Sequence, residues 1–462
     1  MLPNGNPVIT KDEIEAKSAE FGLHAANIER DYVFGWLLAG IYGVSSLKDA
    51  LVLKGGNCFR KAYFPHTRFS NDLDFSSTTL IQEANLASEL NKVCDFVQEQ
   101  TGLIFEKDRN WAREKGNSDK DRRIVEARLY FKDFYGNPHT TTISVHLDVT
   151  EYDRIFLPVQ SRFLIHPYSD AAKCTATIRC HKLEELLAAK LKCLLQRRHS
   201  FDLYDYVYSV FINQDLEINR GDLLRTFLKK TIFEPSPAVA KGLLLDLPLE
   251  TFRAIWHKYL VCPVQSLFDF DTALSRFKEN IEALFAGLRV DHYGQIAFYP
   301  SRFRNIIMEA ASNLMMLDVT YDGHRRLVEP YSLVFKRRKD GFGQEYFYAF
   351  DRTGGRTSGP GMKTFLHPKI QSLASTDQRF EPRFPMELGK AGEFAGKSYF
   401  GSGFRTSSVR HAPVRRSTAR VYLVECSYCG KRFPRKRYST RLRRHKDQYG
   451  NSCYGRSGYI AY

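Results

Sequence analysis

The chain has 462 residues, of which 43% are hydrophobic, with a mean hydropathy of −0.38 and a net charge of +16. This length exceeds one ordinary hydrophobic core and predicts roughly two or three domains. No run approaches the ~18 apolar residues that a membrane span needs, and the amino terminus lacks a basic and apolar leader, so we expect a cytoplasmic protein without a membrane partner.

The first half of the chain alternates helical and extended patterns. We predict a helix over 11–43, strands over 51–54 and 72–76, a helix over 80–101, and strands over 123–134 and 143–149. This order indicates a mixed α/β sheet of the α+β kind. From 182 to 288 the periodicity is helical, which predicts a helical lobe beside the sheet.

A second set of strands follows a predicted helix at 301–315. The strand patterns cover 317–321, 326–335, 345–351, 363–365 and 370–375, with Gly, Asp and Lys turns between them. They predict a small five-strand barrel or sandwich. Residues 386–420 are rich in Gly, Ser and Arg and predict a flexible basic linker.

Two aspartates follow a glycine turn. Asp72 and Asp74 lie on one face of a predicted strand, shortly after Gly55-Gly56, because strand side chains alternate with a period of two. Carboxylate and phosphate oxygens are ligands that Mg²⁺ prefers, and two such ions suit phosphoryl transfer. Amides freed by the glycines suit a triphosphate. Each feature alone is usually a solvated edge or a plain turn; the combination predicts a two-metal nucleotidyl-transfer site.

Three further residues are candidates. Asp148 ends a predicted strand. If that strand pairs next to the strand of Asp72 and Asp74, Asp148 lies beside them and completes the metal site or accepts a proton. A purely structural acid is the alternative. Lys190 lies on the inner half of a predicted helix, where a cation neutralises a triphosphate, although an amphipathic surface lysine is the default. Asp205, one turn into the next helix, faces the site in this interpretation.

Several spaced segments resemble the ordered motifs of the AbiEii-type nucleotidyltransferase toxins. They are Glu29-Arg30-Asp31-Tyr32-Val33, Lys54-Gly55-Gly56-Asn57, Arg68-Phe69-Ser70-Asn71-Asp72-Leu73-Asp74-Phe75, the segment 183–191, and Asp202-Leu203-Tyr204-Asp205. The resemblance covers residues 1–290, and the order of the segments makes it more specific than any single motif.

The resemblance implies a polymerase-beta-like nucleotidyltransferase fold that transfers a nucleotide from an NTP to an acceptor such as a tRNA 3′ end. By position, Asp72 and Asp74 become magnesium ligands and Lys190 binds the triphosphate. Asp205 becomes an active-site acid whose role is open. The implied nucleotide and phosphate contacts are Gly55, Gly56, Asn57, Arg68 and Ser70. A toxin of this family would also have a cognate antitoxin as partner.

The chain departs from the family pattern at two positions. Asn57 stands where Thr or Ser is usual, and Phe201 stands where an Arg commonly precedes the Asp. The first departure changes a nucleotide contact, and the second removes a partner for a phosphate or an acid. Neither departure removes a metal ligand.

The region 301–385 resembles a WYL-type domain, a small SH3-like barrel. The resemblance is carried by the segments 321–333 and 346–351, although Tyr346-Phe347-Tyr348 replaces the namesake tripeptide. Core packing explains the aromatic residues, and a polar ligand or nucleic-acid contact stays open for Arg326, Lys336 and Arg352.

The positive charge and three cysteines are concentrated near the carboxyl end. Between Arg405 and Lys446 there are fourteen Lys or Arg residues against one acid, a balance of +13 that leaves +3 of the +16 for the rest. Such a segment attracts a polyphosphate backbone, RNA or DNA, and a solvated basic arm is the alternative. The other six cysteines are predicted to be reduced and mostly buried; they are Cys58, Cys94, Cys174, Cys180, Cys193 and Cys262.

Cys426, Cys429, His445 and Cys453 supply three thiolates and an imidazole, a ligand set for structural zinc. The segment 421–462 is too short to fold on a hydrophobic core alone, which favours metal over free thiols. Interleaved Arg, Lys and aromatic side chains predict a module that holds a phosphate backbone and stacks on unpaired bases.

The leading hypothesis is a magnesium-dependent nucleotidyltransferase toxin or defence enzyme acting on RNA. It would comprise a catalytic domain with a helical lobe over 1–290, a barrel over 301–385, a linker over 386–420 and a zinc module over 421–462. One alternative is a DNA-binding regulator whose front domain is degenerate. Another is an enzyme of AMPylase or kinase-like type that modifies a protein hydroxyl.

Overall fold

A computed structural model describes residues 9–115, 123–132, 142–197, 199–212, 216–288, 296–355, 358–384, 386–388, 422–426, 429–435, 441–446, 452–453, 455 and 458–461. Residues 389–420 of the predicted linker lie outside the described residues, as do 133–134 of a predicted strand.

Helices and strands alternate in the first half of the chain and separate in the second. The helices are α1 (Lys11–Phe21), α2 (Ala25–Gly43), α3 (Gly55–Cys58), α4 (Glu83–Thr101), α5 (Leu183–Gln196), α6 (Ser200–Val207), α7 (Arg220–Lys230), α8 (Pro237–Leu245), α9 (Trp256–Tyr259), α10 (Phe270–Leu284) and α11 (Ser301–Ser312). The strands are β1 (Leu51–Lys54), β2 (Asp72–Ser77), β3 (Trp111–Glu114), β4 (Ile124–Lys132), β5 (Thr142–Glu151), β6 (Gln160–Phe163), β7 (Thr177–Cys180), β8 (Ile296–Ala297), β9 (Met315–Tyr321), β10 (His324–Arg337), β11 (Gly343–Asp351), β12 (Gly361–Phe365), β13 (Ile370–Arg379), β14 (Tyr422–Cys426), β15 (Arg432–Arg435), β16 (His445–Lys446), β17 (Ser452–Cys453) and β18 (Gly458–Ala461).

The predicted mixed α/β sheet is confirmed. Seven strands pair in the order β3-β4-β5-β2-β1-β7-β6, with β2 parallel to β5 and β1 parallel to β7. One face of the sheet is apolar, since Leu73 and Phe75 of β2 and Val145 and Leu147 of β5 are fully buried. The residues between them point to the opposite face, which carries the candidate site.

The single helix predicted over 11–43 is two helices. Gly22, at φ 65°, ends α1 in the left-handed conformation, and its N–H bonds to the carbonyl of Ala19. The imidazole of His24 then accepts a hydrogen bond from the N–H of Ala26 and starts α2. A glycine C-cap followed by a side-chain N-cap therefore breaks a pattern that hydrophobic periodicity reads as continuous.

The second sheet confirms the five strands predicted between 317 and 375. It runs β12-β11-β10-β9-β13, so the last strand pairs back with the first, and the short β8 joins β11. Helix α11 covers it, with Ile307 and Met308 buried against Leu317 and Val319 of β9. The packed region extends beyond 385, because Leu388 is buried in this core and its N–H bonds to the carbonyl of Tyr331.

The carboxyl-terminal strands form two small ladders. β14 pairs with β15 and β18, and β16 pairs with β17. Across the described residues, helices with the length and apolar character for crossing a membrane are absent.

Asp31 of α2 holds two buried cations. Its carboxylate bonds to Arg60 Nε at 2.7 Å and to Lys61 Nζ at 2.9 Å, and all three side chains are at most 2% exposed. Burial opposes the ionisation of Asp31, but Arg60 and Lys61 together hold its pKa well below the usual range. The Glu29-Arg30-Asp31 segment thus ties α2 to the residues that follow α3.

We expect Asp31→Ala to lower the free energy of unfolding by about 3–5 kcal/mol, because Arg60 and Lys61 remain buried without their carboxylate. Denaturant unfolding measures this loss. The control is Asp95→Ala, which removes the exposed partner of Lys107 and should change stability by less than about 1 kcal/mol. Equal losses in the two variants would contradict a structural role for Asp31.

Candidate active site and candidate metal centre

Three carboxylates meet on the open face of the large sheet. Asp72 and Asp74 project from the same side of β2, and the parallel register with β5 sets Asp74 opposite Asp148. On the other side, the antiparallel register with β1 sets Lys54 opposite Asp74. The expected adjacency of Asp148 to the acid pair is confirmed, and parallel pairing of two strands distant in sequence is its cause.

The pKa of Asp74 is perturbed by its surroundings. Its pKa is raised from 3.8 to about 6, first by burial and then by the charges of Asp72 and Asp148. Lys54 and Arg197 oppose this rise. A carboxylate whose ionisation is opposed by burial and by two neighbouring carboxylates is one whose charged form a bound cation would stabilise.

The glycine turn packs directly on this cluster. Gly55 has φ 70°, and a Cβ atom there would lie 2.2 Å from Asp74 Oδ2. A Cβ atom on Gly56 would lie 2.6 Å from the Ser70 hydroxyl and 2.8 Å from an Nη atom of Arg68. Both positions therefore require glycine, and the turn brings backbone amides beside the acids and Ser70.

Asn57 braces the strand that carries the acids. Its side chain is fully buried, and Nδ2 donates to the carbonyl oxygen of Asp72 at 2.7 Å. Asn57 thus has a structural role here, because its side-chain amide reaches the backbone of β2.

Lys190 and Asp205 belong to a buried ion network. Lys190 Nζ lies 2.9 Å from Asp202 and 2.7 Å from Asp205, and the lysine side chain is 8% exposed. Arg68 binds both oxygens of Asp205 at 2.7 Å. Arg197 binds Asp202 through Nε at 2.9 Å. Three cations and two carboxylates leave the network with one excess positive charge beside the acid cluster.

The pKa values of Asp202 and Lys190 are shifted so that both groups favour their charged forms. Burial opposes the ionisation of Asp202, but Arg197 and Lys190 together hold its pKa well below the usual range. Burial also disfavours the charged form of Lys190, yet Asp202 and Asp205 raise its pKa. Asp202 and Lys190 are therefore both ionised near neutral pH.

Phe201 lies at the centre of the cations. Arg68, Lys190 and Arg197 have their charged groups 4.8, 5.5 and 5.7 Å from the centroid of its ring. The ring of Phe201 offers these cations an aromatic face, which attracts positive charge.

Sequence reasoning missed several residues of the site. Arg197, a third of whose side chain is exposed, acts electrostatically on Asp74. Lys54 bonds to Asp153 at 2.6 Å, and Lys115 bonds to Asp148 at 2.5 Å. The position of Lys54 directly before the glycines was a usable signal. Lys115 and Asp153 carried none, because they reach the site only through sheet pairing.

The predicted zinc ligands come together. The donor atoms of Cys426, Cys429, His445 and Cys453 lie within 4.8 Å of one another. The sulfurs of Cys426 and Cys453 are 3.7 Å apart, and Cys429 Sγ is 3.3 Å from His445 Nε2. Ligands of tetrahedral zinc at about 2.3 Å for sulfur and 2.0–2.1 Å for nitrogen would be separated by about 3.8 and 3.6 Å. The donor set and its spacing fit this metal.

A second contact orients the histidine. His445 Nδ1 lies 2.9 Å from the carbonyl oxygen of Arg443, which accepts a hydrogen bond from it and leaves Nε2 to face the cysteines. This arrangement is the usual support of a metal-bound imidazole. Gly430, at φ 69°, closes the turn after Cys429, and its N–H bonds to the carbonyl of Cys426.

Comparison with known families gives a match over the region of the acid cluster. The family described as nucleotidyl transferase AbiEii toxin, type IV toxin–antitoxin system, matches residues 36–303, more than half of the chain. The chain belongs to this family. It is therefore a nucleotidyltransferase of the toxin class, and the resemblance inferred from the spaced motifs is confirmed.

Among solved structures, the AbiEii-family chain resembles MenT4, a nucleotidyltransferase toxin from Mycobacterium tuberculosis H37Rv. Identity is 18%, the match covers 61% of this chain and 91% of MenT4, and the TM-score is 0.39. Among curated proteins the comparison found no match. The AbiEii match begins inside α2 and ends inside α11, so it includes the acid cluster and the ion network, while β9–β13 and the cysteine cluster lie beyond it.

The raised pKa of Asp74 leads to a prediction about how the stability of this AbiEii-family protein depends on pH. The folded-state pKa of Asp74 is near 6, against an ordinary 3.8. Ionisation of Asp74 therefore lowers the free energy of unfolding fully above pH 6 and very little below pH 4. We expect Asp74→Asn to raise the free energy of unfolding by about 1–3 kcal/mol at about pH 8 without divalent ions, and the gain to vanish toward about pH 4.

Denaturant titrations at several pH values measure this effect. Asp271→Asn, which removes an exposed acid paired with Arg253, is the control and should show no such gain. Mg²⁺ should stabilise the wild-type protein more than Asp74→Asn. A destabilised Asp74→Asn variant at alkaline pH would refute the crowding of carboxylates.

Proposed function

We propose that the protein transfers a nucleoside monophosphate from an NTP to an RNA acceptor, with the 3′ end of a tRNA as the expected target, and releases pyrophosphate. The observation that carries this proposal is the meeting of three carboxylates, a glycine turn and a cationic network on one sheet face of an AbiEii-family chain. The scattered reduced thiols favour action in the cytoplasm.

Asp72, Asp74 and Asp148 are the proposed ligands of magnesium. The raised pKa of Asp74 supports this role, because a bound cation relieves the repulsion among the three carboxylates. Magnesium would neutralise the phosphate oxygens and lower the pKa of the attacking hydroxyl.

The other residues of the site bind and orient the nucleotide. The amides of the Gly55-Gly56 turn and the Ser70 hydroxyl donate to phosphate oxygens. Lys190, which stays paired with Asp202 and Asp205, contributes positive charge near the triphosphate without touching it. The more exposed Arg197 contacts the triphosphate directly. Arg68 fixes Asp205 and so positions Lys190. The acceptor hydroxyl oxygen forms a bond to the α-phosphorus as the bond from that phosphorus to pyrophosphate breaks, and a carboxylate oxygen of the cluster accepts the hydroxyl proton.

The carboxyl-terminal parts are proposed to hold nucleic acid. The region 301–385 acts as a WYL-like barrel, and the Cys3His cluster binds structural zinc within a basic segment that attracts a phosphate backbone. A cognate antitoxin is the expected protein partner for a member of this toxin family.

The first test is nucleotide transfer. We expect the purified protein with Mg²⁺, labelled NTPs and total RNA to label RNA, and Asp72→Asn with Asp74→Asn to abolish labelling, because both changes remove metal ligands. Asp318→Asn, which removes a half-buried acid of β9 paired with the exposed Arg325, is the matched control and should label normally.

Three outcomes separate the alternatives. Label on protein instead of RNA would indicate AMPylation or a kinase-like reaction. No label with any nucleotide, with sequence-specific DNA binding, would indicate a regulator with a degenerate front domain. Equal labelling by the double variant would refute the assignment of the acids.

The second test is metal content. We expect the wild-type protein to contain one zinc ion per chain and Cys426→Ser with Cys429→Ser to lose it, since two of four ligands are gone. Retention on RNA should weaken as the module unfolds. Cys193→Ser, which changes a half-buried cysteine of α5, is the control and should keep the metal. Unchanged zinc in the double variant would refute the ligand assignment.

A further inference from the structure

A row of side chains crosses four strands and ends at the acid cluster. Trp111 of β3 lies opposite Arg128 of β4, Arg128 lies opposite His146 of β5, and His146 lies opposite Asp72 of β2. Directly opposed residues point to the same face of a sheet, so the four share the face of the acids. With strands about 4.8 Å apart, the row extends about 14 Å from Asp72.

The face of the sheet that carries this row is polar, whereas the opposite face of the same strands packs into the hydrophobic core. On β4 the alternating residues Val125, Ala127 and Leu129 point to the face opposite Arg128, and they are at most 1% exposed. Arg128 is 8% exposed and its guanidinium carbon lies 5.5 Å from the indole centroid of Trp111. A buried arginine beside a partly exposed tryptophan is an arrangement that fits a ligand with both charge and a flat ring.

A neighbouring arginine packs against part of the indole, which stays partly exposed. Arg113 lies 4.2 Å from the Trp111 ring centroid and bonds to Glu126 through Nε at 3.1 Å and Nη2 at 3.0 Å. Glu126 thus neutralises and orients Arg113. On this row Arg128 lies between Trp111 and His146, and His146 lies between Arg128 and Asp72.

The position of the row relative to the glycine turn gives its role. The turn follows β1, on one side of Asp74, and the row extends from β5 through β3, on the other side. In nucleotidyl transfer the attacking and leaving oxygens lie roughly in line across the phosphorus. A triphosphate on the glycine turn directs pyrophosphate toward β1, so the attacking hydroxyl approaches over β5.

We propose that Trp111, Arg128 and His146, with Arg113 as a positioning residue, form the acceptor surface for the single-stranded 3′ end of the RNA. The indole stacks on an unpaired base, and Arg128 pairs with a phosphate near the terminal hydroxyl. This inference rests on the proposed function for its substrate and adds the surface that presents it.

A binding test uses the protein's own fluorescence. Of the three tryptophans, Trp36 and Trp256 are fully buried, so Trp111 alone is open to a stacking base. We expect a short single-stranded RNA with a 3′ hydroxyl to quench tryptophan emission of the Asp72→Asn Asp74→Asn protein, in which chemistry is blocked. Trp111→Phe in that background should remove the quenching, and the same RNA as a duplex should quench less.

A kinetic test separates acceptor from nucleotide. At saturating NTP, Trp111→Ala and Arg128→Ala should raise the KM for RNA about tenfold or more, because one stacked base and one phosphate contact are lost. The KM for NTP should stay unchanged, and Trp111→Phe should restore much of the loss. The matched control is Arg253→Ala, an arginine 4.8 Å from the ring of Phe270 on the helical lobe, which should leave both constants unchanged.

The outcomes distinguish this surface from the proposed function. RNA labelling with a wild-type KM for RNA in Trp111→Ala and Arg128→Ala would overturn the surface and keep the function. Quenching by RNA without any label transfer would keep the surface and overturn the function. A raised KM for NTP with an unchanged KM for RNA would assign the row to the nucleotide and overturn the proposal.

Discussion

Repulsion among three neighbouring carboxylates is the constraint around which this catalytic domain is arranged. The parallel pairing of β2 with β5 sets Asp74 opposite Asp148, and the alternation of strand side chains sets Asp72 beside them. Burial and these two charges raise the pKa of Asp74 to about 6. The fold places cations around the cluster, with Lys54 and Arg197 near Asp74 and Lys115 on Asp148. A bound metal cation would relieve the remaining repulsion among the carboxylates, a property that metal-assisted phosphoryl transfer uses.

The ion network of Lys190, Asp202 and Asp205 is attached to the rest of the molecule at both ends. Arg68 joins the network to the segment that leads into β2, and the guanidinium of Arg197 interacts electrostatically with Asp74. At the carboxyl end of α5, just before Arg197, the carbonyl of Leu195 accepts from Arg304 at 2.6 Å and Gln196 donates to the carbonyl of Leu333 in β10 at 2.8 Å. The second sheet therefore supports the helix that supplies two of the cations.

The two sides of the acid cluster differ in chemistry. Toward β1 the backbone itself is presented, since any side chain on Gly55 or Gly56 would collide with Asp74 or Ser70. Toward β3 the sheet presents Arg128 and Trp111, with the apolar side chains of the same strands turned into the core. A narrow amide-lined turn suits compact phosphates, whereas a broad strip with an indole suits a flexible polymer with bases.

The sequence by itself determined the strands at 51–54 and 72–76, the family, the acid pair and the four Cys and His residues that cluster at the carboxyl end, because period-two alternation, glycine spacing and Cys/His spacing are local signals. It did not show the break between α1 and α2, the pairing of Lys190 with Asp202 and Asp205, or the brace from Asn57 to Asp72. Only the tertiary structure decided these contacts and the row from Trp111 to Asp72, because strand order and register join residues far apart in sequence, and no local pattern encodes which strand becomes the neighbour of which.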